Sequence, residues 1–254
     1  MNPNRINPLL AESPLPYGAP VFDRIDECDY LPAFREAIER ARREIQAITD
    51  NPEAPDFSNT IEALEAAGRD LDRISGIFFN LTEACTDEAM DRIAEEVSPL
   101  LTQHSLSILL NEALFARVKA VWAQRDTLQL DTEAAKLLEE TWKSFARHGA
   151  NLPPAQKERF TRVSEELSLA TLKFGQHVLA ATNAFTLHLQ DEADLAGLPD
   201  FVRALAAAEA QQRGQSGWVF TLNQPSYGPF LKFSDRRDLR EQLWRAYNGR
   251  CIGG

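Results

Sequence analysis

Cysteine and histidine, the residues that build thiol and metal chemistry, are scarce here: three and four among 254 residues. Cys28, Cys85 and Cys251 lie far apart and form no CxxC pair. That excludes a disulfide framework and a thiolate metal site and leaves reduced, structural thiols. Of His104, His148, His177 and His188, no two are three to five residues apart. A helical zinc site needs two ligands on one face at i, i+4 with an acid nearby, so the chain carries no recognisable zinc motif. Each histidine reads as a helix-surface or interface residue, and His188 falls on the polar side of an alternating stretch. Also missing are a GxSxG elbow, a glycine-rich phosphate loop and a cysteine with a histidine partner. The glycines of "GQSGWVF" (Gly214 to Phe220) read as a turn before a strand.

Long apolar runs are absent too. A membrane span needs roughly 18 consecutive apolar residues, and the longest nearly uncharged stretch, Ser98 to Leu110, is interrupted by Pro99, Thr102, Gln103 and His104. The proline-rich start, MNPNRINPLLAESPLPYGAP, has Arg5 as its only basic residue and no apolar core segment, so no secretory signal is read and a cytoplasmic location is expected. Positive charge is in deficit: the net charge is −11 and the pI is near 4.9. A phosphate-tracking surface needs clustered Lys and Arg, whereas here they alternate with acids, as in Arg35-Glu36, Glu39-Arg40 and Arg43-Glu44. That pattern is a solvated helix face. Neither nucleic acid nor a membrane is an expected partner.

What the sequence does have is helical periodicity. Residues 1–30 read as an extended arm packed on the surface through Leu9, Leu10, Leu15, Tyr17, Val21, Phe22 and Ile25. From Leu31 to Ile48, Phe34, Ile38, Ala41, Ile45 and Ile48 fall at spacings of three and four, a one-sided stripe with Pro32 in its first turn. The connector Asp50 to Phe57, with Pro52 and Pro55, interrupts it. A second stripe over Asn59 to Ala84 is capped by Ser58 or Asn59, and a third starts at Thr86 as cap and is kinked or split by Pro99. Further helices are read over Leu114–Trp122, Asp131–His148 (ended by Gly149), Pro153 to about Ala181 through Phe160, Val163, Leu167 and Phe174, and Leu198–Gln212.

Strand-like alternation appears only late. "AFTLHL" sets Phe185, Leu187 and Leu189 against Thr186 and His188. Trp218 to Leu222 and Phe230 to Phe233 read as short strands around a Pro225 turn, and Ser234 as the cap of a final helix with the stripe Leu239, Leu243, Tyr247. The fold expected is mainly α, with a small β element near residues 184–233. Its divisions are the arm at 1–30, a helical domain at 31–182, and a β element with helices at 183–254.

Chemistry is thin. Glu139-Glu140 and Glu165-Glu166 are adjacent, so on a helix each pair points about 100° apart and cannot work as one carboxylate pair. Tyr227, after Pro225-Ser226, is the one polar aromatic placed where a loop could recognise a ligand; it could equally pack the turn and hydrogen-bond through its hydroxyl. No residue of the chain is assigned a catalytic, metal-binding or substrate-binding role.

Several stretches together resemble a known family. "NPLLAESPLPYGAPVFDRIDECDYLPAFREAI" (Asn7 to Ile38) and "NPEAPDFSNTIEALEAAG" (Asn51 to Gly68) are similar to the opening blocks of the M3 metallopeptidases, the thimet oligopeptidase family. "LFARVKAVWAQRDTLQLDTEAAKLLE" (Leu114 to Glu139), "NAFTLHLQDEADLAGLP" (Asn183 to Pro199) and "FTLNQPSYGPFLKFSDRRDLREQLWRAYNGR" (Phe220 to Arg250) look like its peptidyl-dipeptidase Dcp branch. The blocks occur in order along essentially the whole chain.

The resemblance implies a zinc peptidase that releases C-terminal dipeptides from short peptides, built as a mostly helical clam of two halves around a channel. It matches only the amino-terminal region of such an enzyme. The HExxH helix expected downstream is absent, so this chain is expected to bind no zinc and to be inactive alone. It would form one wall of the channel, with the missing catalytic half as its partner and zinc as the cofactor of the full-length parent. Two alternatives remain: the corresponding domain of an oligopeptidase A type endopeptidase, and a free-standing helical binding module without catalysis. A fragment should expose an apolar surface where its other half docks.

Overall fold

The stripe at Phe34, Ile38, Ala41, Ile45 and Ile48 forms one face of helix α1, Glu27–Thr49, in the computed structural model, which describes residues 5–252. Ala33, Phe34, Ala37, Ile38 and Ala41 are all buried. The alternation of alanines with large side chains lets neighbouring helices approach α1 closely. The helix begins four residues earlier than its apolar stripe, because Asp29 accepts a hydrogen bond from the Asp26 N–H at 2.8 Å and so closes the first turn. Pro32 therefore sits inside the helix.

The chain divides into two compact units, Met1–Leu169 and Ala170–Gly254. In the first, α3 (Arg69–Cys85) and α4 (Glu88–Leu109) both pack on α1. Phe78 of α3 meets Phe34 edge-on at 5.5 Å and Tyr30 at 5.0 Å. A second part of the core joins α5 (Glu112–Ala123) and α6 (Thr132–Arg147) to the far end of α1 through Ile45, Ile48, Leu114, Val118, Leu138 and Phe145. Phe115 and Phe145 stack at 5.6 Å there, and Trp122 and Trp142 at 4.9 Å.

The buried Arg117 holds the proline-containing connector in place. It donates to the carbonyls of Asn51 at 3.0 Å and Glu53 at 3.3 Å and to the Asn59 side-chain oxygen at 2.9 Å. The connector's polar backbone is thereby satisfied without a helix or sheet of its own.

Several sequence expectations are corrected in this unit. Asn59 to Ala84 is not one helix: a π-helical turn (Phe57–Glu62) and the short α2 (Ala63–Ala66) end at Ala67–Gly68, where Gly68 takes a left-handed φ of 79° and α3 begins. The cap of the π-turn is Asp56, which accepts from the Asn59 N–H at 2.7 Å. Likewise Asp87 caps α4, accepting from Ala89 and Met90 at 2.9 Å, while Thr86 donates to Asp91. In both places a carboxylate, favoured by the helix dipole, outcompetes the neighbouring hydroxyl or amide. Pro99 does not split α4. The arm is anchored by the buried Leu9 and by Asn7, which donates to the Asp29 carbonyl at 2.8 Å, but Leu15, Tyr17 and Phe22 are exposed; its residues 1–4 lie outside the described region.

Helix α7 (Pro154–Ala184) carries residues of both units. In the second unit, β1 (Leu187–Leu189) pairs antiparallel with β2 (Trp218–Phe220) in the register Leu187 with Phe220 and Leu189 with Trp218. His188 is exposed and its flanking leucines buried, as the alternation implied. Around the ribbon pack α8 (Asp200–Gln212), α9 (Gln224–Phe233) and α10 (Arg237–Asn248). Gly197, with φ of 83°, makes the close turn before α8, where any Cβ would overlap the Phe233 carbonyl.

Phe230 to Phe233 is helix α9, not a strand. Pro225 in its first turn supplies a helical φ, and Tyr227 and Phe230, three apart, then share the buried face. α10 starts at Arg237; Ser234 instead accepts from the Arg236 N–H at 3.2 Å in the preceding turn. Leu243 is buried, with Leu239 and Tyr247 packed beside it as the stripe required. The closing Gly253 and Gly254 lie outside the described residues. Among the described residues no helix is long and apolar enough to cross a membrane.

The position of Phe34 at the centre of the first unit gives a direct test. Phe34→Ala is expected to lower the free energy of unfolding by about 3–5 kcal/mol, whereas Tyr17→Ala, on the exposed arm, should change it by no more than about 0.5 kcal/mol. Urea titration followed by far-UV circular dichroism measures both.

Candidate functional site

Tyr227 does not stand on a turn between strands. It is buried on α9, its ring stacked on Tyr247 of α10 at 4.2 Å with 15° between the planes. Burial pushes its phenol above the ordinary range, and the adjoining Tyr247 adds to that. The Arg250 guanidinium lies 3.7 Å over the other tyrosine ring, donates to the Thr182 hydroxyl at 2.8 Å, and through Nε to the Tyr247 carbonyl at 2.8 Å. Gln224 donates to the Tyr247 hydroxyl at 3.4 Å. The stack ties α7, α9 and α10 together within the second unit. Tyr247 and Arg250 carried no sequence signal, because their pairing is set by how two helices cross.

The histidines are dispersed. His148 bonds through Nδ1 to the Ser144 carbonyl oxygen at 2.7 Å, and His188 through Nε2 to that of Ser216 at 2.7 Å. The three cysteines are free and exposed, so burial gives them no structural role. Among the described residues no three of His, Cys, Asp and Glu come together in a way that could hold a metal ion. The zinc that the family resemblance implies does not fit the donor set of this chain.

His104 differs from the other three. It lies on α4 with 6% of its surface exposed, and its Nδ1 has no hydrogen-bond partner. Burial depresses its basicity first, and Arg42 of α1 adds to this; Glu39 of α1 and Asp72 of α3 act in the opposite sense. At neutral pH the ring is uncharged, a state suited to a largely apolar surrounding.

Apolar surface is unevenly covered. In the 31 residues of α7 only Thr182 is buried. Val163 and Leu167, in the first unit, are 52% and 64% exposed, and Phe174, in the second, is 60% exposed. Phe201 and Leu205 on α8 and Trp244 on α10 are also exposed. Isolated surface leucines are ordinary, but a long helix with its large apolar side chains in water is the kind of surface that another part of a protein covers.

No protein-family model matches the chain. It is 41% identical over 241 residues to a dipeptidyl carboxypeptidase of Salmonella typhimurium, across 94% of this chain and 35% of that protein. To a dipeptidyl carboxypeptidase of Escherichia coli it is 40% identical across 95% of this chain and 36% of that protein. Similarity to an oligopeptidase A of Salmonella typhimurium is lower, 28% across 96% of this chain and 35% of that protein. The likeness read from the sequence blocks thus extends along nearly the whole chain, which spans about a third of the length of these curated relatives.

The buried, neutral state of His104 sets a pH dependence. Its folded-state pKa lies below the unfolded value, so the unfolded chain takes up a proton first as pH falls. The stability this group contributes is fully present above about pH 6.5, the unfolded value, and is lost as pH falls through the folded pKa. His104→Gln, which cannot take up that proton, is expected to flatten this part of the curve when unfolding free energies from about pH 7.5 to about pH 5 are compared with the parent's.

Proposed function

We propose that this chain, similar over nearly its whole length to dipeptidyl carboxypeptidases, is the N-terminal, non-catalytic domain of a longer zinc peptidase that releases C-terminal dipeptides from short peptides. The observation that carries the proposal is the gradient of identity: 40–41% to the two dipeptidyl carboxypeptidases against 28% to the oligopeptidase A, all over at least 94% of the chain. That gradient favours the exopeptidase over the endopeptidase reading.

The chain's own surface supports the same view. Val163, Leu167 and Phe174 project from α7 with more than half of their surface in water, as expected of a wall that another half of the polypeptide covers. In this reading the zinc donors, the groups that act on the peptide bond and the cytoplasmic setting belong to the longer protein. This chain contributes the packed helical wall that limits access to short, unfolded peptides. The free-standing binding module gains no support from a specific feature.

The test is made on the longer polypeptide. It should release a dipeptide from a blocked tripeptide, lose that activity to a chelator and regain it with zinc. This chain alone should show none. An active chain alone, or a longer protein that cleaves only internal bonds, overturns the assignment.

The apolar face of α7 is tested separately. Leu167→Lys with Phe174→Lys should leave the urea unfolding of this chain within about 0.5 kcal/mol per site, since neither side chain is buried in it. The same pair in the longer polypeptide should lower its thermal midpoint by several degrees, read by calorimetry.

A further inference from the structure

Helices α3 and α4 both rest on α1, and between them they leave a groove of about 270 Å³ in the first unit. Its floor is apolar: Ala41 and Ile45 of α1, Leu64 of α2, Leu71 of α3, Leu101 and Ile108 of α4. His104 lines it, the one nearly fully buried polar side chain there, with a ring nitrogen that has no partner. A buried polar atom left unpaired costs stability that a ligand's hydrogen bond would recover.

The charges around this groove are of one sign. Glu39 is engaged by Arg42 at 2.5 Å on α1. Asp72, on the α3 wall, has no ion-pair partner among the described residues and keeps its full charge at the mouth. Glu44 accepts from the N–H of Gly68, another lining residue, at 2.7 Å. The first turn of α3 is already flanked by carboxylates, so its amides do not present an anion site. Size sets a further limit. A dry apolar cavity of about 150 Å³ takes one benzene ring, so this volume suits a single ring plus a short polar tail.

We propose that the groove binds a small organic cation, an ammonium group on a short linker carrying an apolar body the size of one aromatic ring. The ring lies on Ala41, Ile45 and Ile108, and the ammonium faces Asp72 with the neutral His104 as a hydrogen-bond acceptor. The site lies wholly in the first unit and does not depend on the peptidase reading.

The probe is 2-phenylethylamine, compared with its neutral analogue 2-phenylethanol and the anion 3-phenylpropionate, added to the intact chain at about pH 7.5, where His104 is neutral. The C2–H proton signals of the four histidines are followed by NMR. The amine is expected to shift the His104 signal saturably and to leave His148, His177 and His188 unmoved. It should bind at least about fivefold more tightly than the alcohol, the effect of one partly exposed charge contact, and the anion should bind most weakly. Asp72→Asn, which keeps the side-chain shape, should bring the amine down to the affinity of the alcohol. No movement of the His104 signal with any probe overturns the site. Equal affinity for amine and alcohol, or an unchanged amine affinity in Asp72→Asn, overturns its cation selectivity.

Discussion

Everything in the first unit hangs on the close packing of α1. Its buried face alternates small and large side chains, Ala33 and Phe34, Ala37 and Ile38, so α3, α4 and α5 can each approach the helix without one another's support. Burying a side chain the size of Phe34 contributes roughly 2–3 kcal/mol by area alone. The aromatic cluster of Tyr30, Phe34, Phe78 and Phe79 adds edge-to-face contacts to that. The groove beside His104 is a direct consequence: two helices that share a floor but hardly touch leave space above it.

The connectors show how little of the packing needs regular structure. Arg117, buried on α5, reaches back more than fifty residues in sequence to bond the carbonyls of Asn51 and Glu53 and the side chain of Asn59. A guanidinium is suited to this because its donors are fixed in a plane and it stays charged. The second unit uses another cation in a comparable way, with Arg250 laid on Tyr247 and bonded to Thr182. In both cases a long cationic side chain joins segments that no apolar stripe connects.

Function and fold separate cleanly in this chain. The helices account for the similarity to dipeptidyl carboxypeptidases along 94–95% of its length, yet no residues among those described are assembled for metal chemistry. Its histidines serve as a strand-edge and a helix-end hydrogen-bonding group and as one buried, unpartnered ring. A wall needs shape and a surface to dock, and the exposed apolar side chains of α7 are of that kind.

The sequence by itself determined the helices with long one-sided stripes, the ribbon strand around His188 and the late stripe at Leu239, Leu243 and Tyr247, because each of these patterns repeats with the period of its own element. It also showed that no zinc motif is present. What only the tertiary structure decided were the features without a period: the break at Gly68, the choice of Asp56 and Asp87 as caps, and the helical state of Phe230 to Phe233. A four-residue apolar stretch after a proline fits a strand or a helix equally well in isolation. Here Tyr227 and Phe230 are buried only if they share one helical face, and the core formed with Phe220 and Leu243 settles the conformation. The stack of Arg250 on Tyr247 and the groove beside His104 belong to the same class, since each is made by helices distant in sequence that meet on a common surface.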